Sequence, residues 1–332
     1  MKIRPLLILT AVCGLLCFSG CTTTGSVGTD NSGIPETGPV YPGIASYLVM
    51  DTHDQHVALA HAANQRRPIA SLTKIATAVV VLDFLRNAGI DAGELMTVPQ
   101  QVLLLGGQGP AGLQPGDQLS IRDGLYAAMI ASDNYAAETL AVHIGQKMVQ
   151  QGLSSNPMSA FLTQMNGLAS KVGLRNTRFA NAHGLDIQRG YSTAADMAKL
   201  TIHALSVPGF SFYCSQPGRR LTIIRAGQAQ GVSIKTTNEL LFKGGIDGVK
   251  TGTTDLAGQC LIITAPKPST VVNRPDGSTL VYQNRLVVVT LGATERFGQA
   301  WQLLNDGWTA HLNWRAAGSP APGTQPNTAP AP

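Results

Sequence analysis

Residues 68–86 read PIASLTKIATAVVVLDFLR, the most continuously apolar helical pattern in the chain, with Ser71 and Lys74 at its start. Ile75, Val79, Val80, Val81, Leu82, Phe84 and Leu85 leave little room for a polar stripe, so the pattern predicts a helix over 72–86 that is buried nearly all round. A serine in the first turn of such a helix lies among free backbone N–H groups at the positive end of the dipole. A lysine three residues on projects from the same face. An amine held there loses solvation when charged, and its pKa falls toward the range where it can take a proton from serine. Ser71 and Lys74 are therefore candidate nucleophile and base, although an exposed cap with a surface lysine produces the same spacing.

Two short motifs downstream carry groups of the same kind. Ser132-Asp133-Asn134 falls between the apolar run 125–131 and a helical pattern beginning at Tyr135. A short interhelical loop can present Ser132 and Asn134 on one side while Asp133 points away, but taken alone the triplet reads as a helix cap. Lys250-Thr251-Gly252, followed by Thr253, comes after the glycine-rich turn Gly244-Gly245-Ile246-Asp247-Gly248. On a strand, Lys250 and Gly252 share a face with Thr251 opposite unless an edge strand twists, and Gly252 removes a side chain where a substrate would lie close. A strand edge can also pair with an extended peptide. Alone, this tripeptide is a polar strand end.

Strand patterns lie at 45–50 and 56–60, bracketing an Asp-Thr-His-Asp turn as in a hairpin, and at 221–225, 231–236, 249–251, 260–265 and 285–291. Helical patterns occupy 72–86, 121–131, 135–149, 157–172 and 194–206. Strands at both ends enclosing helices predict an α+β fold whose two ends meet in one sheet.

The 332 residues are 44% hydrophobic and 13% charged, enough for a large core and unlike a disordered chain. Lys+Arg 24 against Asp+Glu 19 gives a net charge of +5 without a basic cluster, so nothing marks a nucleic-acid partner. Residues 1–20 carry Lys2 and Arg4, then an apolar run over 6–18, then small residues before Cys21. This is the layout of a secretory signal peptide, and the run is short of the roughly 20 residues that span a bilayer. Phe18-Ser19-Gly20-Cys21 resembles the bacterial lipobox, with Phe18 in place of the commoner leucine. It makes Cys21 the candidate lipidation site and predicts an exported, lipid-anchored protein on the periplasmic or extracytoplasmic face of a membrane.

Residues 21–42, rich in Thr, Gly, Ser and Pro, read as a flexible linker, and 316–332 as a disordered Ala/Pro tail. Between them, 43–315 forms one catalytic-size domain. Cys13 and Cys17 leave with the signal, so only Cys214 and Cys260 remain in that domain. Two separate buried thiols are the plainer reading, and an oxidising compartment leaves a disulfide open.

Taken together and in this order, Ser-x-x-Lys, Ser-Asp-Asn and Lys-Thr-Gly are the signature of penicillin-binding proteins and class A β-lactamases. The chain resembles the serine-type D-alanyl-D-alanine carboxypeptidases of the low-molecular-mass penicillin-binding proteins. The resemblance runs from about residue 43 to 314, through Pro68-Ile69-Ala70-Ser71-Leu72-Thr73-Lys74, Leu113-Gln114-Pro115-Gly116-Asp117, His183-Gly184-Leu185-Asp186, Tyr191-Ser192-Thr193-Ala194-Ala195-Asp196-Met197-Ala198 and Gly248-Val249-Lys250-Thr251-Gly252-Thr253-Thr254. Many members continue the second motif as Asn-Asp-Ala, where this chain has Asn134-Tyr135-Ala136, a form shared with the β-lactamases. Nothing after Trp314 resembles the second β domain or the amphipathic anchor helix of some relatives.

The resemblance implies a β-lactamase/transpeptidase-like α+β fold, a central antiparallel sheet flanked by helices with a helical subdomain. It also implies that Ser71 attacks the carbonyl between two D-alanines of a peptidoglycan stem peptide, with Lys74 accepting the proton and Ser132 relaying it. Asn134 would bond the substrate amide and orient Lys74. The N–H groups of Ser71 and Thr253 would form an oxyanion hole. Lys250 and Thr251, beside Gly252, would receive the terminal carboxylate, with Arg296 as helper. No metal or organic cofactor is implied, and β-lactams would be covalent inhibitors.

A D,D-endopeptidase on crosslinks, a class A-like β-lactamase and a catalytically silent peptidoglycan-binding module are the alternatives. The lactamase needs a deacylating glutamate in the loop before the third motif, and 176–191 contains none. The silent module would be expected to have lost a triplet. Residues 107–112 fit G-x-G-x-x-G, but Pro110 and Pro115 oppose the helix a dinucleotide site needs. His53, His56 and His61 straddle a predicted turn without a metal-binding framework and read as a polar hairpin face. His183 and Asp196 read as loop-shaping residues.

Overall fold

Helix α1 (Lys74–Ala88) has the burial its sequence predicts, with Ile75, Ala76, Val79 and Val81 wholly covered. The computed structural model describes residues 34, 36–106, 109–186, 190–273 and 277–319. A 3-10 turn, Ala70–Thr73, precedes α1, so Ser71 lies on the tighter turn and Lys74 opens the α-helix. Around α1 pack α2 (Ile121–Ile130), α3 (Asn134–Gln150), α4 (Pro157–Val172) and α5 (Ala194–Ser206). Ser120, Asp133, Asn156 and Thr193 cap these four, each side chain accepting from the N–H three residues on.

Strands β1 (Ile44–Asp51) and β2 (Val57–His61) form the expected hairpin. Two short strands follow, β3 (Leu95–Thr97) and β4 (Gln118–Ser120). They join β5 (Gly218–Arg225) and β6 (Gln228–Lys235) in a four-stranded sheet, and α6 (Phe210–Cys214) leads into β5. The main sheet is completed by β7 (Gly248–Thr254), β8 (Gly258–Asn273) and β9 (Thr279–Ala293). Its order is β2-β1-β9-β8-β7, all antiparallel, so β1 from one end of the domain pairs with β9 from the other. β7 and β2 are the two edge strands of this order.

Alternation decides what each face of the sheet buries. Leu48, Cys260, Ile262, Val287 and Val289 face the helices, while Tyr47, Val49, Leu261, Ile263 and Val288 face the other way. That second face is covered by α7 (Arg296–Ala316), through Ala300, Leu303, Leu304 and Trp308. The helix comes close: a Cβ on Gly307 would meet Val49 Cγ1 at 2.5 Å.

Four features depart from the sequence reading. The C-terminal stretch after β9, to which the sequence reading assigned no element, is a helix, and Ala316, read as the start of the tail, closes it. The β8–β9 hairpin extends well past 265 and 285 on either side. Residues 36–42, read as linker, lie along the sheet: Thr37 and Gly38 N–H groups donate to Ala60 O at 3.2 Å, and Tyr41 OH donates to Asp306 Oδ2 at 2.6 Å. The α1 helix starts two residues later than the pattern suggested. Cys214 and Cys260 are buried free thiols. The signal segment, Cys21, residues 107–108 of the glycine motif and residues 320–332 lie outside the described residues. Among the described residues no helix is long and apolar enough to cross a membrane, and no cluster of His, Cys, Asp or Glu could hold a metal ion.

Candidate active site

Three elements converge on the Lys74 amine. Its Nζ donates to Ser71 Oγ at 2.9 Å, to Asn134 Oδ1 at 2.7 Å and to the His183 carbonyl at 2.7 Å. Ser71 comes from the 3-10 turn and Asn134 from the first residue of α3. His183 comes from the loop before α5. Lys74 has no exposed surface, and burial pulls its pKa down to about 7 against a smaller opposing pull from Asp133. Two of the three partners are carbonyl oxygens that can only accept. When the amine gives up its third proton, its remaining N–H groups stay on those carbonyls, and the lone pair is left facing the Ser71 hydroxyl. The arrangement can therefore draw a proton from serine without moving a side chain.

The local folding that brings the His183 carbonyl there is specific. Asn181 Oδ1 accepts from the N–H groups of His183 and Gly184 at 3.2 and 2.6 Å, bending the chain. Gly184, at φ +88, lies on the Ala70 carbonyl, where any Cβ would collide. Thr77 Oγ1 ties the same loop to α1 through Ala182 O at 2.7 Å, and Asp186 ties it to β7 through Thr254 Oγ1 at 3.0 Å. Asp196 holds the next stretch by accepting from Asn176 N and Thr177 Oγ1 at 2.7 and 2.8 Å. Both His183 and Asp196 thus sit where the loop-shaping reading put them.

Asp133 points away from the cleft, as expected. It is fully buried and accepts from Ala136 N and Ala111 N, both at 2.9 Å. Ser132 is left-handed, at φ +61, in the turn between α2 and α3. Its hydroxyl makes no hydrogen bond to either lysine among the described residues.

The opposite wall is β7. A Cβ on Gly252 would lie 2.9 Å from Ser71 N and 3.1 Å from Ala70 Cβ, so the strand approaches the serine turn as closely as its missing side chain permits. Lys250 is buried and donates to Thr251 O at 3.0 Å. Burial first, then the charges of Lys74 and Arg296, push its pKa well below the ordinary lysine value. Arg296, from the start of α7, donates to Gly252 O at 2.8 Å and Thr253 Oγ1 at 2.7 Å. It braces β7 from behind, and burial lowers its pKa. The sequence reading missed Thr237, whose Oγ1 lies 2.6 Å from Thr251 Oγ1, and Asn238, whose Nδ2 donates to Gly248 O at 3.1 Å. Both sit in the loop between β6 and β7, where nothing but spatial proximity marks them.

The decoy histidines have other uses. His61 Nδ1 pairs with Glu36 at 3.1 Å, His53 lies 3.8 Å from Asp54, and His56 stacks on Trp314 at 3.9 Å.

A serine hydroxyl bonded to a buried amine, facing an edge strand with a second buried lysine, is an arrangement able to carry out acyl transfer with a serine–lysine pair. The model of the D-alanyl-D-alanine carboxypeptidase family, peptidase S11, matches residues 42–274, and the chain belongs to that family. It is 31% identical over 276 residues to the D-alanyl-D-alanine carboxypeptidase DacC of Escherichia coli (strain K12), across 79% of this chain and 60% of that relative. A D-alanyl-D-alanine endopeptidase of Pseudomonas aeruginosa is 28% identical over 306 residues, across 89% of this chain and 86% of the relative. The Streptomyces K15 DD-transpeptidase superposes with a TM-score of 0.68 at 25% identity, covering 82% of this chain and 99% of that one. Penicillin-binding protein D2 from Listeria monocytogenes, in its ampicillin-bound form, gives 0.62 at 26% identity, covering 82% and 100%. The chain spans 60% of the length of the Escherichia coli relative and 49% of DacF from Bacillus subtilis.

Proposed function

We propose that the chain is a serine D,D-peptidase that releases the terminal D-alanine of peptidoglycan stem peptides through an acyl-enzyme on Ser71. The observation that carries this reading is the Lys74 amine, held on Asn134 and His183 and 2.9 Å from Ser71 Oγ. In the first half-reaction Ser71 Oγ bonds to the carbonyl carbon and its proton passes to Lys74. The carbon–nitrogen bond then breaks, and the proton reaches the leaving amine by way of Ser132. In the second half-reaction water replaces the amine and restores Ser71.

The N–H groups of Ser71 and Thr253 stabilise the oxyanion, a contribution typically of about 2.7–4 kcal/mol per donor. Lys250 and Thr251 receive the terminal carboxylate, and the open edge of β7 pairs with the peptide backbone. Arg296 acts through Thr253 and Gly252 rather than on the substrate directly. Penicillins, which imitate the D-alanyl-D-alanine end, acylate Ser71 and stay there, since 176–191 offers no glutamate to activate water. The signal-peptide-like layout of residues 1–20 and the lipobox-like sequence ending at Cys21 support export and lipid anchoring at the extracytoplasmic face of a membrane.

A second reading, endopeptidase cleavage of crosslinks, is favoured by the match to the Pseudomonas aeruginosa endopeptidase over most of both chains. Mass spectrometry of muropeptides after incubation separates the two. Loss of a single alanine from pentapeptides supports the carboxypeptidase, and conversion of dimers to monomers supports the endopeptidase. No cleavage of either, by protein that a fluorescent penicillin also fails to label, overturns both.

A further inference from the structure

One cavity beside the cleft takes no part in the proposed acyl transfer. Its volume is about 270 Å³, and its walls include Gln101, Leu104, Leu105, Glu138, Asn181 and His183. Leu104, on the 3-10 turn Gln100–Leu105, is 81% exposed, which puts the cavity at the surface. Glu138 lies on α3 one turn from Asn134 and so on the same helix face. His183 is the residue whose carbonyl accepts from Lys74. The cavity thus adjoins two of the three elements that hold the Lys74 amine.

Its charges do not balance. The Glu138 side chain is only 11% exposed, accepts from Gln101 Nε2 at 3.2 Å and otherwise faces His183 Nε2 at 3.9 Å. Among the described residues no lysine or arginine forms an ion pair with it. His183 does not supply the missing charge, because burial, and then the Lys74 charge, push its pKa down to about 3. Leu185 N–H also donates to its Nδ1 at 3.1 Å, as it does to a neutral ring. Burial accordingly raises the Glu138 pKa in spite of the Gln101 bond. A buried carboxyl without a cation is costly to ionise, and an ammonium arriving from outside removes that cost.

We propose that this cavity binds the free side-chain amino group of the diamino residue preceding the D-alanyl-D-alanine end of the stem peptide, with Glu138 as its counter-ion. The proposal rests on the peptidase reading and adds the substrate feature that the enzyme selects. The methylenes of such a side chain lie against Leu104 and Leu105 while the ammonium meets the carboxylate and the Gln101 amide. Glu138 is a specificity residue, and it touches neither the scissile carbonyl nor Ser71.

The test compares hydrolysis of Nα-acetyl-L-Lys-D-Ala-D-Ala with that of the Nα,Nε-diacetyl tripeptide, in which the amine is blocked. The unaltered protein is expected to favour the free amine by about tenfold or more in kcat/KM, the scale of a hydrogen-bonded charge. Glu138→Gln should bring the ratio within about twofold by lowering only the free-amine value, and Glu138→Asp should recover part of it. Equal loss on both tripeptides would mean that Glu138 is structural. A preference that survives Glu138→Gln, or none in the unaltered protein, also overturns the proposal. Hydrolysis of the diacetyl tripeptide reports the peptidase reading separately, and if neither compound is cleaved, both that reading and this one fall.

Discussion

The two walls of the cleft each carry a buried lysine, yet they are built for different work. Lys74 has three partners from three separate elements, two of them obligate acceptors, so the direction of its lone pair is set by the fold. Lys250 has one bond, to the carbonyl of the next residue on its own strand, and its strongest neighbours are other positive charges. Burial lowers the pKa of both, but only the first is aimed at a hydroxyl. Burial makes a lysine able to lose its proton, while the placement of acceptors decides what the neutral amine does. On this account the helix-side wall performs chemistry and the strand-side wall recognises substrate.

Substitutions can break that division of labour, and the largest effect belongs to Ser71. Ser71→Ala should lower tripeptide hydrolysis by more than about 10³-fold and remove labelling by fluorescent penicillin while the protein stays folded, because the Lys74 amine keeps its bonds to Asn134 and His183. Activity in a folded Ser71→Ala protein would end the assignment of the helix-side wall. Next comes Lys74→Arg, expected to cost about 10²–10⁴-fold in kcat, the range of a lost general base, since guanidinium stays protonated. If only KM rises, Lys74 binds and does not catalyse.

Two changes on the strand side have smaller expected effects. Gly252→Ala places a methyl 2.9 Å from Ser71 N and should slow acylation by roughly 10–100-fold, as a misplacement near 1 Å does. Stopped-flow measurement with a chromogenic β-lactam reads this step, and an unaltered rate would show that β7 does not set the serine's position. Thr237→Val removes the partner of the Thr251 hydroxyl. The expected result is a KM raised about fivefold with kcat unchanged, the scale of one neutral hydrogen bond lost from binding. A fall in kcat instead would place Thr237 in the chemical step.

How much of this was legible in the sequence varied by element. The apolar pattern over 72–86 fixed the burial of α1, and the amphipathic helices could be read from spacing, with a cap recognised only at 132–134. The continuous runs 260–265 and 285–291 show a sheet buried on both faces, and therefore a need for a second cover. That cover, α7, escaped notice because Gly298 and Gly307 and many polar residues interrupt its stripe of Ala300, Leu303, Leu304 and Trp308. Pro266 and Pro268 likewise concealed the length of β8. In the site, the meeting of Ser71, Lys74 and Asn134 could be read from their motifs, whereas Ser132 bonds to neither lysine among the described residues. The third acceptor on Lys74 could not be read, because the His183 carbonyl has no side-chain signature and arrives only through the Asn181 and Gly184 bend. Thr237 was hidden for a related reason: its contact with Thr251 exists only once β7 has been placed.

Proton transfer from Ser71 to neutral Lys74 is read from the pH dependence of Ser71 acylation by a fluorescent penicillin, followed from pH 5 to 9. Burial lowers the Lys74 pKa to about 7, so the base is protonated and inactive below that value and free above it. The second-order rate should rise with pH through an inflection near 7 and level off, and Lys74→Arg should leave a low rate with no such inflection. A profile flat from pH 5 to 9, or an inflection near 7 that persists in Lys74→Arg, would contradict the account.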